Sequence, residues 1–239
     1  MGVVEFDTEV TDVIKRAPGV KSFRFKTRQG ADFQAGQYFF VKINVAGIEK
    51  SKHFSFSSSP TESQHIEFTK RITSSEYSKA LDGLKLGDLA RLRMPYGSFT
   101  YKPEYKKIAF LSGGIGITPI RSICKFIADK KLGADIVLLY GNNKEEDIIF
   151  KADFDNMAAA NKNIRAVYTL TAPDIDKSKW TGRIGYIDDK MITLEIPDYM
   201  ERIFYLCGPP VMVAALTDIL RNKLSLKPTS IVTENFAGY

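Results

Sequence analysis

The hydrophobic pattern of this chain changes once, at Tyr101-Lys102-Pro103, and that change sets what it can fold into. Before it, apolar residues recur with strand-like alternation over 3–14, 20–26, 37–43, 53–58, 65–72 and 88–94. Turn-rich stretches at 28–30, 47, 58–63 and 83–87 separate these runs. After it, short β-branched runs at 108–112, 136–140, 165–170, 203–207 and 230–234 alternate with helical patterns at 117–128, 150–159, 188–194 and 211–224. The first series predicts a six-stranded antiparallel Greek-key barrel over residues 1–103, interrupted by one helix over 75–81. The second predicts an α/β domain over 104–239, its parallel sheet covered on both faces. Proline 103 disfavours helix at the residue before it, and the charged 102–107 stretch suits a linker.

Residue usage excludes several kinds of chemistry. Cys124 and Cys207 are the only cysteines, too few for a disulfide framework, a four-cysteine zinc site or a cysteine-ligated iron–sulfur cluster. The only histidines, His53 and His65, both lie in strand-like runs, which leaves a Ser–His–Asp hydrolase without a well-placed base. No metal site is expected. No run approaches the roughly 20 apolar residues that span a bilayer, and the acidic start, MGVVEFDTEV, is unlike a secretory signal. The expected compartment is the cytoplasm. The chain carries a net charge of +6, and residues 1–103 hold most of it, with 16 Lys and Arg against 11 Asp and Glu. No compact basic run interleaved with aromatics points to nucleic acid. The basic half instead suggests a docking face for an acidic protein, or simply a solvated surface.

Three segments carry chemistry. Gly113-Gly114-Ile115-Gly116-Ile117-Thr118-Pro119 follows a buried strand and opens a helix, where glycines let a pyrophosphate approach backbone N–H groups. Pro119 suits the first helical turn. Cys207-Gly208-Pro209-Pro210 ends a later strand. In an open parallel sheet both turns fall on the carboxyl edge, so one extended ligand could touch both. In the barrel, Lys52-His53-Phe54-Ser55 offers an aromatic plane and a hydroxyl on alternate faces of a strand. The next strand, Phe68-Thr69-Lys70-Arg71, leads to a helix that Ser75 can cap, with Tyr77 and Leu81 spaced for one buried face.

Taken in order, these motifs resemble the ferredoxin–NADP reductase-like flavoproteins over nearly the whole chain. The family's Arg-x-Tyr-Ser is matched by Lys52-His53-Phe54-Ser55, and its Gly-x-x-Ser by Ser75-Glu76-Tyr77-Ser78. Its Gly-Gly-x-Gly-x-Thr-Pro is matched by Gly113–Pro119 and its Cys-Gly-Pro-Pro by Cys207–Pro210. Met94-Pro95-Tyr96-Gly97 and Glu234-x-Phe236 fall where the family has further landmarks. The resemblance implies an NADH-dependent FAD reductase. Phe54 would then pack on the isoalloxazine, the Ser55 hydroxyl would reach N5, and Thr118 and Cys207 would flank the nicotinamide. Glu234 would orient N5 or relay a proton, and Phe236 or Tyr239 would cover the other flavin face.

The departures carry information too. Lys52 stands where the family has arginine, giving a point charge instead of a planar fork, and Ser75 stands where it has glycine, which leaves FMN open beside FAD. The segment Thr171-Ala172 has no arginine before Arg183 to hold a 2′-phosphate, so NADH is expected over NADPH. The acceptor expected is a separate, acidic one-electron protein such as a ferredoxin, flavodoxin or oxygenase component. Two alternatives stay open: a diaphorase or ferric reductase acting on small acceptors, and a non-catalytic electron-bridging subunit.

Overall fold

A computed structural model describes residues 2–236. Six strands form the first sheet: β1 (Val4–Ala17), β2 (Val20–Lys26), β3 (Tyr38–Val45), β4 (Ile48–Ser55), β5 (His65–Arg71) and β6 (Leu89–Tyr96). Their order is β4-β3-β6-β1-β2-β5, every pairing antiparallel. Helix α1 (Glu76–Asp82) interrupts the series between β5 and β6. The Phe56–Phe68 bridge joins the two outer strands, so the sheet curls into a barrel. Its interior is rich in phenylalanine, with Phe23, Phe25, Phe39, Phe56 and Phe68 all fully buried. The β3–β4 hairpin turns on Ala46 and Gly47, both in the left-handed region, as a two-residue turn requires. Strand β4 begins five residues before the predicted 53, because its first half, 48–52, is mostly exposed and shows no apolar alternation.

The second sheet holds β7 (Lys107–Gly113), β8 (Asp135–Asn142), β9 (Ile164–Leu170), the two-residue β10 (Arg183–Ile184), β11 (Ile203–Gly208) and β12 (Ile231–Asn235). Their order is β10-β9-β8-β7-β11-β12, all parallel. Helices α2 (Ile117–Asp129), α3 (Lys151–Ala160), α4 (Asp189–Glu195) and α5 (Pro210–Asp218) connect them. Strand β8 lies on one side of β7 and β11 on the other, so the direction of winding reverses between β7 and β11. Ligands of open α/β sheets bind at the carboxyl ends of strands at such a point. Here those ends are Gly113 and Gly208.

The chain packs as two units. One comprises residues up to 101 together with 118–130; the other comprises 102–117 and the residues from 131 onward. The break at 101/102 falls two residues before the sequence boundary of 103. Most of α2, which the sequence pattern assigns to the 104–239 domain, groups instead with the barrel. Polar side chains explain this: Arg121 donates to the Ser57 carbonyl (2.8 Å) and Ser122 to the Ser58 carbonyl (2.7 Å), while Thr61 of the barrel unit donates to Asp129 (2.5 Å).

Candidate functional site

In the barrel unit, the sequence candidates divide between its interior and its outer face. Phe54 is 4% exposed and stacks on Phe68 at 4.2 Å, with Tyr77 6.2 Å away on a similar plane. Tyr77 donates its phenol to the Val41 carbonyl (2.6 Å), which fixes α1 against the barrel. The Phe54 plane therefore belongs to a buried three-ring stack. His53, its neighbour, is exposed on the opposite face beside Tyr38 and Phe40. Ser55 is buried, and its hydroxyl makes no hydrogen bond among the described residues.

Lys70 follows Phe68 and Thr69 on β5, and the Lys52 charge of β4 acts on it. Lys70 is 6% exposed; burial lowers its pKa, and the nearby Lys52 ammonium lowers it further. Ser75 caps α1 by accepting from the Ser78 N–H, and Ser78 in turn accepts from the Thr73 N–H (2.8 Å). Thr69 donates to Ser57 (2.9 Å) and pairs with Ser22 (2.6 Å), so it belongs to an internal network.

That network has no counterpart in the sequence reading. Glu67 is 1% exposed and accepts from Arg16 (3.0 Å), Arg24 (2.8 Å) and the Ser57 hydroxyl (2.8 Å). Burial pushes its carboxyl up, yet the two arginines and Ser57 outweigh that and hold it below the ordinary value. Glu62 behaves alike, held low by Arg121 against its own burial. No local pattern reveals these pairs, since Arg121 lies 59 residues from Glu62.

In the second unit, glycines bring two βα turns into backbone contact. A Cβ on Gly116 would meet the Cys207 carbonyl oxygen at 2.4 Å, and one on Gly113 would meet the Met212 sulfur at 2.4 Å. Gly114 adopts a φ of 53°, and Tyr140 donates to its carbonyl (2.9 Å). Gly113, Gly114, Gly116, Cys207, Gly208 and Pro209 thus share one corner of the sheet, with Pro209 capping α5. The two turns can pack this closely only because Gly113 and Gly116 lack side chains, and backbone N–H groups at such a βα turn can receive a dinucleotide's phosphates. Thr118, one residue into α2, is 1% exposed and falls in the barrel unit.

Cys207 is fully buried, and both burial and the Glu234 carboxylate push its thiol up. Glu234 pairs in register with Cys207. Burial raises its pKa to about 7, and its Oε2 is buried with no hydrogen-bond partner among the described residues. Phe236 donates its N–H to the Gly208 carbonyl (3.1 Å), tying the segment after β12 to the same corner. Tyr239 lies outside the described residues. The sequence reading missed Asn142, which ends β8. It is 6% exposed, and neither side-chain amide atom has a partner among the described residues. Its position at a carboxyl edge after a buried strand was the available signal. Buried polar atoms without partners at this edge suit a polar ligand.

Among the described residues, no group of three or more His, Cys, Asp or Glu could hold a metal ion. No helix is long and apolar enough to cross a membrane.

The oxidoreductase FAD-binding domain matches residues 7–101 and the oxidoreductase NAD-binding domain residues 110–218. NADH-cytochrome b5 reductase 1 of Aspergillus clavatus is 30% identical over 222 residues, covering 87% of this chain and 70% of that protein. The glycine betaine monooxygenase reductase subunit of Pseudomonas aeruginosa is 28% identical over 214 residues, 87% of this chain, which spans 58% of that subunit's length. The cytochrome b5 reductase domain of Ulva prolifera nitrate reductase has the same fold, with a TM-score of 0.82 at 22% identity and 97% coverage of both chains.

Proposed function

The chain belongs to the ferredoxin–NADP reductase and cytochrome b5 reductase family, and on that premise we propose that it passes electrons from NADH through FAD to a separate one-electron protein acceptor. It is an oxidoreductase with an FAD-binding and an NAD-binding domain. Bound FAD supplies the conversion of a two-electron hydride donor into single-electron output.

The chain's own residues supply position and charge. Lys52 and Lys70 would hold the FAD phosphates, and the start of α1 at Ser75–Ser78 would border them. Ser55 offers a free hydroxyl, able to accept and donate, to the flavin's N5. The Gly113–Gly116 and Gly208 turns would admit the NADH pyrophosphate, and Cys207, at the same corner, would border the nicotinamide. Glu234, near neutral in its titration, holds or releases a proton at its unpartnered Oε2. The observation that carries this reading is the glycine corner, because two βα turns in backbone contact beside a buried Cys–Glu pair suit a flat ring at that edge.

The preference for NADH rests on Thr171-Ala172, which has no arginine before Arg183 to hold a 2′-phosphate. This first arginine after β9 donates to Glu195, which also pairs with Arg165, so it already has a carboxylate partner. The acceptor is read from charge. The first 103 residues carry the basic excess, and two cysteines cannot ligate a cluster within this chain. The test is an anaerobic titration of FAD-loaded protein with NADH, followed by mixing with an acidic ferredoxin at rising ionic strength. Bleaching by NADH and a rate to ferredoxin that falls steeply between 0.05 and 0.5 M salt, on the order expected from screening, support the proposal. Salt-independent turnover with small acceptors and no gain from the protein acceptor moves the reading to a diaphorase.

A further inference from the structure

One ion pair, its arginine buried and its glutamate half-buried, lies outside these cofactor positions and joins two of them. Arg121, on α2, is 6% exposed and forks onto Glu62, with Nη2 at 3.0 Å from Oε1; its Nη1 also donates to the Ser57 carbonyl at 2.8 Å. Glu62 is fixed in turn by the Ser59 N–H at 2.7 Å. One residue along the helix, Ser122 donates to the Ser58 carbonyl at 2.7 Å. The segment these groups grip continues directly from Ser55. Its other side is held as well, since the Ser57 hydroxyl donates to the buried Glu67 and the Ser57 N–H to the Glu67 carbonyl (2.8 Å).

Thr118 stands three residues before Arg121, so the two share one side of the helix. Ser57 stands two residues after Ser55, so they share one side of an extended segment. A bidentate guanidinium fork holds a fixed distance and angle in a way a single hydrogen bond does not. We propose that Arg121 is a positioning residue for hydride transfer. It locks the helix bearing Thr118, at the nicotinamide, to the strand bearing Ser55, at the flavin. This rests on the NADH-to-FAD reading above. The hydride, two electrons with one proton, leaves NADH, which is oxidised to NAD⁺, and reduces FAD. Arg121 touches neither cofactor and acts only through the spacing of those that do. Transfer rates are steep in that spacing, so a loosened helix lowers the rate at saturating NADH more than it weakens NADH binding.

The test uses FAD-loaded protein carrying Arg121→Met, Glu62→Gln or Arg121→Lys. Flavin content, melting temperature, anaerobic reduction by NADH, the long-wavelength charge-transfer absorbance with NAD⁺ and reoxidation of photoreduced protein by ferricyanide are measured for each. Arg121→Met is expected to slow flavin reduction at saturating NADH about tenfold or more and to weaken the charge-transfer band. Its KM for NADH should change less than about threefold, while flavin content and ferricyanide reoxidation stay at the wild-type level. Arg121→Lys, which keeps charge but loses the fork, should fall between. Should Arg121→Met not fold, Glu62→Gln and Arg121→Lys decide the matter by the same measurements. Wild-type reduction rates and charge-transfer absorbance in these variants overturn the proposal. So does a parallel loss of flavin content, reduction and reoxidation, which would mark the pair as a fold contact. A wild-type protein that NADH fails to bleach overturns the reading underneath it, and is distinguishable because no variant is then involved.

Discussion

Cys207 and Glu234 face each other across the parallel pairing of β11 and β12, and the carboxyl there titrates near neutrality. Burial places its folded value at about 7 against an unfolded value of 4.5. A carboxyl raised on folding contributes its stability fully below the unfolded value and loses it as pH rises through the folded one. Urea unfolding of Glu234→Gln should therefore match wild type near pH 4.5 and exceed it by roughly 2 kcal/mol at pH 8. Equal stabilities at both pH values would mean that water reaches Oε2.

Gly116 is the tightest point of the nucleotide corner. A methyl group there meets backbone, the Cys207 carbonyl, which cannot swing aside as a side chain does. Gly116→Ala should raise the KM for NADH about tenfold or more, a cost of about 1.4 kcal/mol. The flavin-to-protein ratio should be unchanged. Comparable KM values would show that the turn relaxes without harm.

Lys70 should contribute to cofactor retention. Its ammonium is buried and feels the Lys52 charge, so removing it in Lys70→Met should let FAD dissociate about tenfold faster or more. Lys52→Ala should also weaken FAD retention and leave NADH affinity alone. Melting curves with and without FAD, read with absorbance after gel filtration, check both. Full flavin occupancy in the two variants would remove the lysines from that role.

Glu67 makes the barrel acid-sensitive. Its carboxyl is held below 4.5, so the stability it contributes is present above that pH and lost as pH falls through the folded value. Glu67→Gln leaves Arg16 and Arg24 facing a neutral amide and should cost about 3 kcal/mol at pH 7, with the difference from wild type shrinking in acid. Denaturation midpoints at pH 7 and pH 4 measure this.

For the dinucleotide itself, kcat/KM with NADH should exceed that with NADPH by about tenfold or more, because Arg183 is engaged by Glu195. Freeing it by Glu195→Gln should narrow the ratio. Similar values for both donors in the wild type would end the argument from Arg183.

Local patterns carried much of the fold. Alternation over 20–26 and 65–72 became β2 and β5, and the turn after β7 was legible because Gly113, Gly114 and Gly116 have one physical use there. The first half of β4 was not legible, since exposed polar residues leave no period to read. Asn142 looked like an ordinary strand end until its burial was known.

The sequence by itself determined which segments become strand or helix, their order, and the two glycine turns, because periodicity and backbone freedom act over a few residues. Tertiary structure alone decided that α2 locks onto the barrel through Arg121, that Phe54 lies within a buried stack, and that Glu234 titrates near 7. Those outcomes depend on burial and on partners tens of residues away, and both come into being only when the chain has folded.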